Sequence, residues 1–214
     1  MATFVNLMAP QPSYQLHHLH GMFQQETSSY YNVHRNTNDH VLKSRWTFPG
    51  DKYLKLNTDG SSKGNPGPSS FGGLLRDGKG RWVCGYMGKM VGRSYTALEA
   101  EVWSIYNGLC LIKEKNLSNV LIETDREEVL RLVSQEVDKY HSLKLVLDAI
   151  RDMMMEQKCY VIHTRRDGNQ CADLLANLGG RQYEEYFVLE QPPVLLVPYL
   201  VRDAKAACEF ERNR

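Results

Sequence analysis

Residues 57–68 read Asn57-Thr58-Asp59-Gly60-Ser61-Ser62-Lys63-Gly64-Asn65-Pro66-Gly67-Pro68. With Tyr53-Leu54-Lys55-Leu56 before them they open as an extended run, which predicts a strand over 53–58 that delivers one carboxylate, Asp59, to its end. A tight turn is expected immediately afterwards. Gly60, Gly64 and Gly67 permit backbone angles and close approaches that other residues resist, and Pro66 and Pro68 fix the chain between them. The stretch reads as a strand-end aspartate beside a loop able to touch a ligand through its backbone. A hairpin turn holding an incidental aspartate has the same composition, so the stretch alone leaves both readings open.

Outward from it the pattern stays regular from Trp46 on. Strands are predicted over 71–76 and 81–87, joined by the turn Asp77-Gly78-Lys79-Gly80. Leu98, Val102, Ile105, Leu109 and Ile112 recur at helical spacing and make one apolar stripe. A short apolar strand over 120–124 ends at Asp125. Helices follow over 126–133 and 143–155, the second with Leu143, Val146, Leu147, Ile150 and Met154 in a stripe. Met153–Met155 read as core filler. A last strand over 159–163 and a helix over 169–178, stopped by Gly179-Gly180, complete the pattern. Gln191-Pro192-Pro193 marks an extended tail with an apolar run to Val201 and a charged end. Three strands in a meander followed by helix-linked strands give an α/β fold: a mixed sheet of about five strands, antiparallel at the start and flanked by helices.

Composition bounds the function. The 214 residues are enough for one domain plus tails, and 26 basic against 25 acidic residues leave a net charge of +1. Strong non-specific attraction to nucleic acid is therefore not expected, and binding would need a local patch. Five cysteines, at 84, 110, 159, 171 and 208, form no CxxC pair and read as reduced thiols of an intracellular protein, nuclear or cytoplasmic. No apolar run approaches the roughly 20 residues of a membrane span, so no membrane partner is expected. Residues 1–48, rich in Gln, His, Asn, Ser and Tyr, read as a poorly ordered tail without a secretory signal. An organellar transit signal is poorly supported, because Arg35 and Arg45 are the only arginines there. His17, His18 and His20 lack acidic or cysteine partners and do not make a metal site.

Four acids stand where chemistry could use them. Asp59 and Asp125 end apolar strands, the place where ligands gather in α/β sheets. Glu101 shares the inward face of its helix, three residues after Leu98 and four before Ile105. Asp173 lies between Ala172 and Leu174 on the final helix. Convergence of four carboxylates would cause strong repulsion, for which divalent cations are the usual compensation, and hard oxygen ligands suit Mg²⁺ or Mn²⁺. Two such ions about 3.5–4 Å apart serve phosphodiester hydrolysis. Taken singly, each acid reads as a cap or surface charge, as do Glu99, Glu123, Glu127 and Glu128, assigned here to solvated faces or caps.

Four segments, TDGSSKGNPGPSSFGGLLRD, AEVWSIYNGL, IETD and HTRRDGNQCADLLA, occur in this order and spacing. Together they resemble the type 1 ribonuclease H domain, and more closely its plant reverse-transcriptase-like, retroelement-related branch. The resemblance covers residues 46–180, and 181–203 resemble a tail found on plant members. It implies a ribonuclease H-like domain over 49–180 with a C-terminal extension over 181–214. It also implies an endonuclease that hydrolyses the RNA strand of RNA–DNA hybrids to 5′-phosphate and 3′-hydroxyl ends, with two Mg²⁺ ions per site and Mn²⁺ able to substitute. Asp59, Glu101, Asp125 and Asp173 match the family's metal-binding carboxylates, and His163 its histidine for product or proton release. Gly64, Asn65 and Gly67 match the loop that touches RNA 2′-hydroxyls, and Thr96 falls where a DNA phosphate is gripped. Arg165 and Arg166 form a basic pair able to hold a phosphate, or a solvated loop. Ala97 and Leu98 stand where the family often has hybrid-reading asparagines, and residues 134–145 lack the basic handle of some bacterial members. Both departures weaken the expectation of tight autonomous hybrid binding and leave the chemistry untouched. Two rival readings remain: a non-catalytic nucleic-acid-binding module derived from a retroelement, and a structural domain that binds a protein partner through 194–201. A monomer is the default expectation.

Overall fold

The computed structural model describes residues 45–212, so the expected tail and its histidines lie, up to residue 44, outside the described residues. The elements are β1 (Leu54–Ser62), β2 (Ser69–Arg76), β3 (Trp82–Lys89), α1 (Ala97–Glu114), β4 (Val120–Thr124), α2 (Glu127–Ser134), α3 (Lys144–Gln157), β5 (Tyr160–His163), α4 (Arg166–Gly179), β6 (Tyr186–Leu189) and α5 (Val197–Arg212). The sheet runs β5-β4-β1-β2-β3-β6. β1 pairs with β4, and β4 with β5, in parallel; the other pairings are antiparallel.

The mixed sheet is as expected, but it has six strands, not five. The sixth belongs to the extension. Tyr186–Leu189 pairs with β3, and the segment read as an extended tail after Pro193 winds instead into a short 3-10 turn (Val194–Leu196) and α5. Leu196 of the turn and Ala206, Ala207 and Phe210 of the helix supply the buried face that makes this segment stable.

β1 also differs from its expected form. It does not end at Thr58 but stays paired with β2 from Lys55↔Arg76 to Ser62↔Ser69, with Asp59 inside the strand opposite Gly72. Gly60 serves packing and not a turn: α1 lies so close that a Cβ on Gly60 would sit 2.3 Å from the Ala100 carbonyl carbon. Gly72 plays the same part on the opposite face, where a Cβ would meet the backbone of Ala176 in α4 at 2.4 Å. Strand glycines therefore set the closeness of both helix layers.

Beneath α1 and α3 the core holds Leu56, Ile105, Leu109, Ile122, Leu147, Ile150 and Met154, matching the predicted stripes. The opposite face packs Leu74, Cys171, Ala172, Leu175, Leu189 and Leu196 together, so the extension shares a core with α4 and β2. All five cysteines are free thiols. Among the described residues no helix is long and apolar enough to cross a membrane.

Candidate active site

The parallel register sets Asn57 beside Glu123. Two residues further on come Asp59, inside β1 on the same face, and Asp125, just past the end of β4. The third acid arrives from the other layer. Gly60 lets α1 approach β1, and Glu101 reaches the same point, where the Gly60 amide donates to its carboxylate. One carboxylate oxygen from each of Asp59, Glu101 and Asp125 lies within 4.8 Å of the others.

This proximity is electrostatically costly. Burial, then Glu101, Asp125 and Asp173, push the Asp59 carboxyl well above its ordinary range, and Arg166 opposes them. Burial, then Asp125, raise Glu101 to about 8, against Arg126, Gly60 and Arg166. Burial raises Asp125 as well; Arg166, His163 and a hydrogen bond from Asn169 hold it down, while Asp173 raises it. Glu101 Oε2 is buried with no hydrogen-bond partner among the described residues. An orphaned carboxylate oxygen inside a cluster of hard oxygen donors fits a divalent cation, which would satisfy the oxygen and relieve the repulsion together.

The other residues singled out from the sequence take varied positions. Asp173, exposed on α4, is outside the tight group but close enough to act on Asp59 and Asp125, and it accepts from Asn177 Nδ2 at 3.2 Å. His163 ends β5 with Nε2 3.2 Å from the Asp125 carbonyl oxygen. A carbonyl can only accept, so this geometry puts the proton on Nε2. Asn65 Oδ1 accepts from the Ala97 amide at 3.0 Å, joining the glycine-rich loop to the start of α1, and Gly67 bridges to Tyr95. A Cβ on Gly67 would lie 2.1 Å from the Lys63 carbonyl oxygen, so this turn requires glycine. Thr96 caps α1: its hydroxyl and Glu99 form a reciprocal capping box, with Glu99 also paired to Arg93 at 2.5 Å. Arg165 and Arg166 are exposed at the start of α4.

Glu123 corrects its assignment to a solvated face. It is buried, accepting from Lys55 Nζ at 2.7 Å and from Asn57 Nδ2 at 2.8 Å. Glu99, by contrast, is the cap it was expected to be, and Glu127 and Glu128 are exposed. Sequence reasoning missed Arg126, which follows Asp125 directly, and the buried amides Asn57 and Asn169. The available signal was position: each lies within four residues of a candidate acid.

The family model described as reverse transcriptase-like matches residues 57–179, more than half of the chain. The chain belongs to this family. A relative in Arabidopsis thaliana, named "Putative ribonuclease H protein", is 35% identical over 133 residues; these are 62% of this chain but 21% of that protein's length. Among solved structures, RNase H1 from the archaeon Halobacterium salinarum superposes with a TM-score of 0.54 at 23% identity, over 59% of this chain and 96% of that one. LC11-RNase H1 in complex with an RNA/DNA hybrid gives 0.54 at 24%, over 60% and 96%. The reverse transcriptase-like domain thus has the ribonuclease H fold, and β6 and α5 follow the last residue that the family model matches.

Proposed function

We propose that this protein is a metal-dependent endonuclease that hydrolyses the RNA strand of RNA–DNA hybrids. The observation that carries the reading is the convergence within 4.8 Å of Asp59 on β1, Asp125 just past the end of the adjacent parallel β4, and Glu101 on the facing helix. A module that only binds nucleic acid gains nothing from a group of mutually repelling buried acids beside the surface it offers to phosphates. The Arabidopsis relative's name and the hybrid held by the structural relative point to the same chemistry.

Asp59 and Asp125 would share two divalent ions, Mg²⁺ or Mn²⁺, with Glu101 and Asp173 completing their shells. Bound there, the ions supply the positive charge that the scissile phosphate and its departing 3′-oxygen need, and they lower the pKa of water. The chain's own residues do the rest. Gly64, Asn65 and Gly67 present backbone and amide groups to the RNA minor groove, where a 2′-hydroxyl separates RNA from DNA. Arg165, Arg166 and the start of α1 at Thr96 face phosphates. His163, tied through Nε2 to the Asp125 carbonyl, has Nδ1 left to accept or return a proton as the 3′-hydroxyl product leaves. The cut ends are a 5′-phosphate and a 3′-hydroxyl.

The test is cleavage of a labelled hybrid with Mg²⁺, with Mn²⁺ and with chelator, beside Asp59→Asn and Asp125→Asn proteins. Cutting confined to the RNA strand, abolished by chelator and lost in both variants, is expected. Undiminished cutting by either variant sinks the site assignment. Hybrid binding without cutting by the wild-type protein, in either metal, establishes the binding-module reading instead.

A further inference from the structure

The buried polar groups behind the carboxylates form one connected chain. It starts on α5, where Asp203, 2% exposed, accepts from Arg76 Nη1 at 2.8 Å and from the Cys171 thiol at 3.3 Å. Arg76 Nη2 donates to Asn57 Oδ1 at 2.7 Å, and the Trp46 indole donates to the same oxygen at 3.0 Å. Asn57 Nδ2 donates to Glu123 Oε2 at 2.8 Å and to Asn169 Oδ1 at 3.1 Å. Asn169 Nδ2 donates to the Thr58 carbonyl at 2.9 Å, and the Asn169 amide also reaches the Asp125 carboxylate. The Thr58 hydroxyl donates to the Glu123 carbonyl at 3.2 Å.

Two features separate this chain from ordinary core packing. Asn57 uses both acceptor sites of its oxygen and both amide protons, so its rotamer and flip are fixed by four partners on different elements. The chain is also a poor way to gain stability. Apolar residues of the same volume usually stabilise as well or better than a buried ion pair, and here Arg76 Nε is buried with no partner among the described residues. Its ends explain it better: Asn57 and Thr58 immediately precede Asp59, Glu123 lies two residues before Asp125, and Asn169 joins α4 to both strands.

We infer that this polar chain is a positioning device for the carboxylate cluster, through which α5, by way of Asp203, sets the spacing of Asp59 and Asp125. The inference rests on the proposed function only for the use of the cluster; the spacing itself is read by cation binding. Partners behind metal ligands typically account for 10–100-fold in metal affinity or activity.

The experiment is calorimetric titration of Mn²⁺ into the full chain, with hybrid cleavage followed in the same preparations. The variants are Asn169→Ala and the pair Arg76→Met with Asp203→Leu, which removes both buried charges together so that neither is stranded. Val201→Ser, on the exposed side of α5, is the control. Circular dichroism fixes a temperature at which every variant is folded. Mn²⁺ affinity is expected to fall about tenfold or more in both Asn169→Ala and the charge-free pair, and to be unchanged in the control. In cleavage, the half-saturating metal concentration rises while KM for the hybrid is unchanged. Wild-type Mn²⁺ affinity in the charge-free pair overturns the role of α5, and in Asn169→Ala it overturns the inference altogether. A wild-type protein that binds Mn²⁺ and loses affinity on these substitutions, yet cuts no hybrid, upholds the positioning device and defeats the nuclease reading. Absence of Mn²⁺ binding by the wild type overturns both.

Discussion

Burial and crowding disfavour the ionised forms of Asp59 and Glu101 unless a positive charge compensates them. Their raised carboxyl pKa values mean that the metal-free folded protein retains protons which the unfolded chain has released. For Glu101 that window runs from the ordinary range near 4.5 to about 8. Within it the native state binds more protons than the unfolded state, so stability without metal falls as pH rises and levels off above the folded value. A divalent cation needs the ionised carboxylates, so its stabilisation runs the other way. Thermal unfolding at pH 5.5 and pH 8.5, each with chelator and with Mg²⁺, should show a much larger Mg²⁺-induced rise in Tm at the higher pH. Equal rises at both would refute the cluster. Asp59→Asn should raise the chelated protein's Tm at pH 8.5, because it removes one of the repelling charges, while abolishing the Mg²⁺ response. The neighbouring Asn57 behaves oppositely. Asn57→Leu strands Arg76, Trp46, Glu123 and Asn169 at once, and urea unfolding should show a loss of about 3 kcal/mol or more.

At the scale of elements, the contact between β1 and α1 decides whether the third acid arrives. Gly60→Ala would put a Cβ 2.3 Å from the Ala100 carbonyl carbon and the Glu101 nitrogen, and backbone cannot swing aside as a side chain can. The helix must shift away and take Glu101 with it. A destabilisation of about 1–3 kcal/mol in urea unfolding, together with weakened Mn²⁺ binding, is expected. Ser61→Ala, one residue on, should leave Mn²⁺ binding at the wild-type value. The elements themselves were largely legible: the stripe from Leu98 to Ile112, the apolar run 120–124 and the turn at 77–80 all appear as read, because local periodicity and turn chemistry reflect local structure. β6 was not legible, since four residues become a strand only when β3 offers its edge. Asp125 could be placed from its strand end and Glu101 from its helix phase, whereas Asp59, read as a strand end, lies inside β1. The support behind these acids could not be placed. Lys55 and Asn57 alternate with Leu54 and Leu56 as they would in a strand with one wet face, and only the tertiary packing of Trp46, Thr47 and α4 turns that face into a dry polar interior.

For the whole described molecule, the question is whether the extension is an appendage or a part of the fold. The 3-10 turn and α5 together have two unlike faces. Leu196, Asp203, Ala207 and Phe210 lie against the domain, whereas Val194, Leu195 and Val201 are exposed. The exposed strip is what the partner-binding reading rests on, and deletion of residues 190–214 is its natural test. The buried face makes that deletion uninformative about partners, because it removes Leu196 from the core shared with Leu74 and Leu175 and leaves Arg76 without its carboxylate. Breaking a buried pair by removing one member costs about 3–5 kcal/mol, a large fraction of a domain's stability. The truncated chain should therefore lose its cooperative thermal transition or precipitate, with any cleavage activity disappearing alongside. Leu195→Ser with Val201→Ser should instead keep the wild-type Tm, as surface substitutions usually change stability by within about 0.5 kcal/mol each. Binding of a partner through the strip would show in that double variant alone, as lost association by a fully folded protein. A truncated chain that melts like the wild type would mean that the domain closes its core without α5, and that the Asp203–Arg76 pair sits beside the fold without helping to build it.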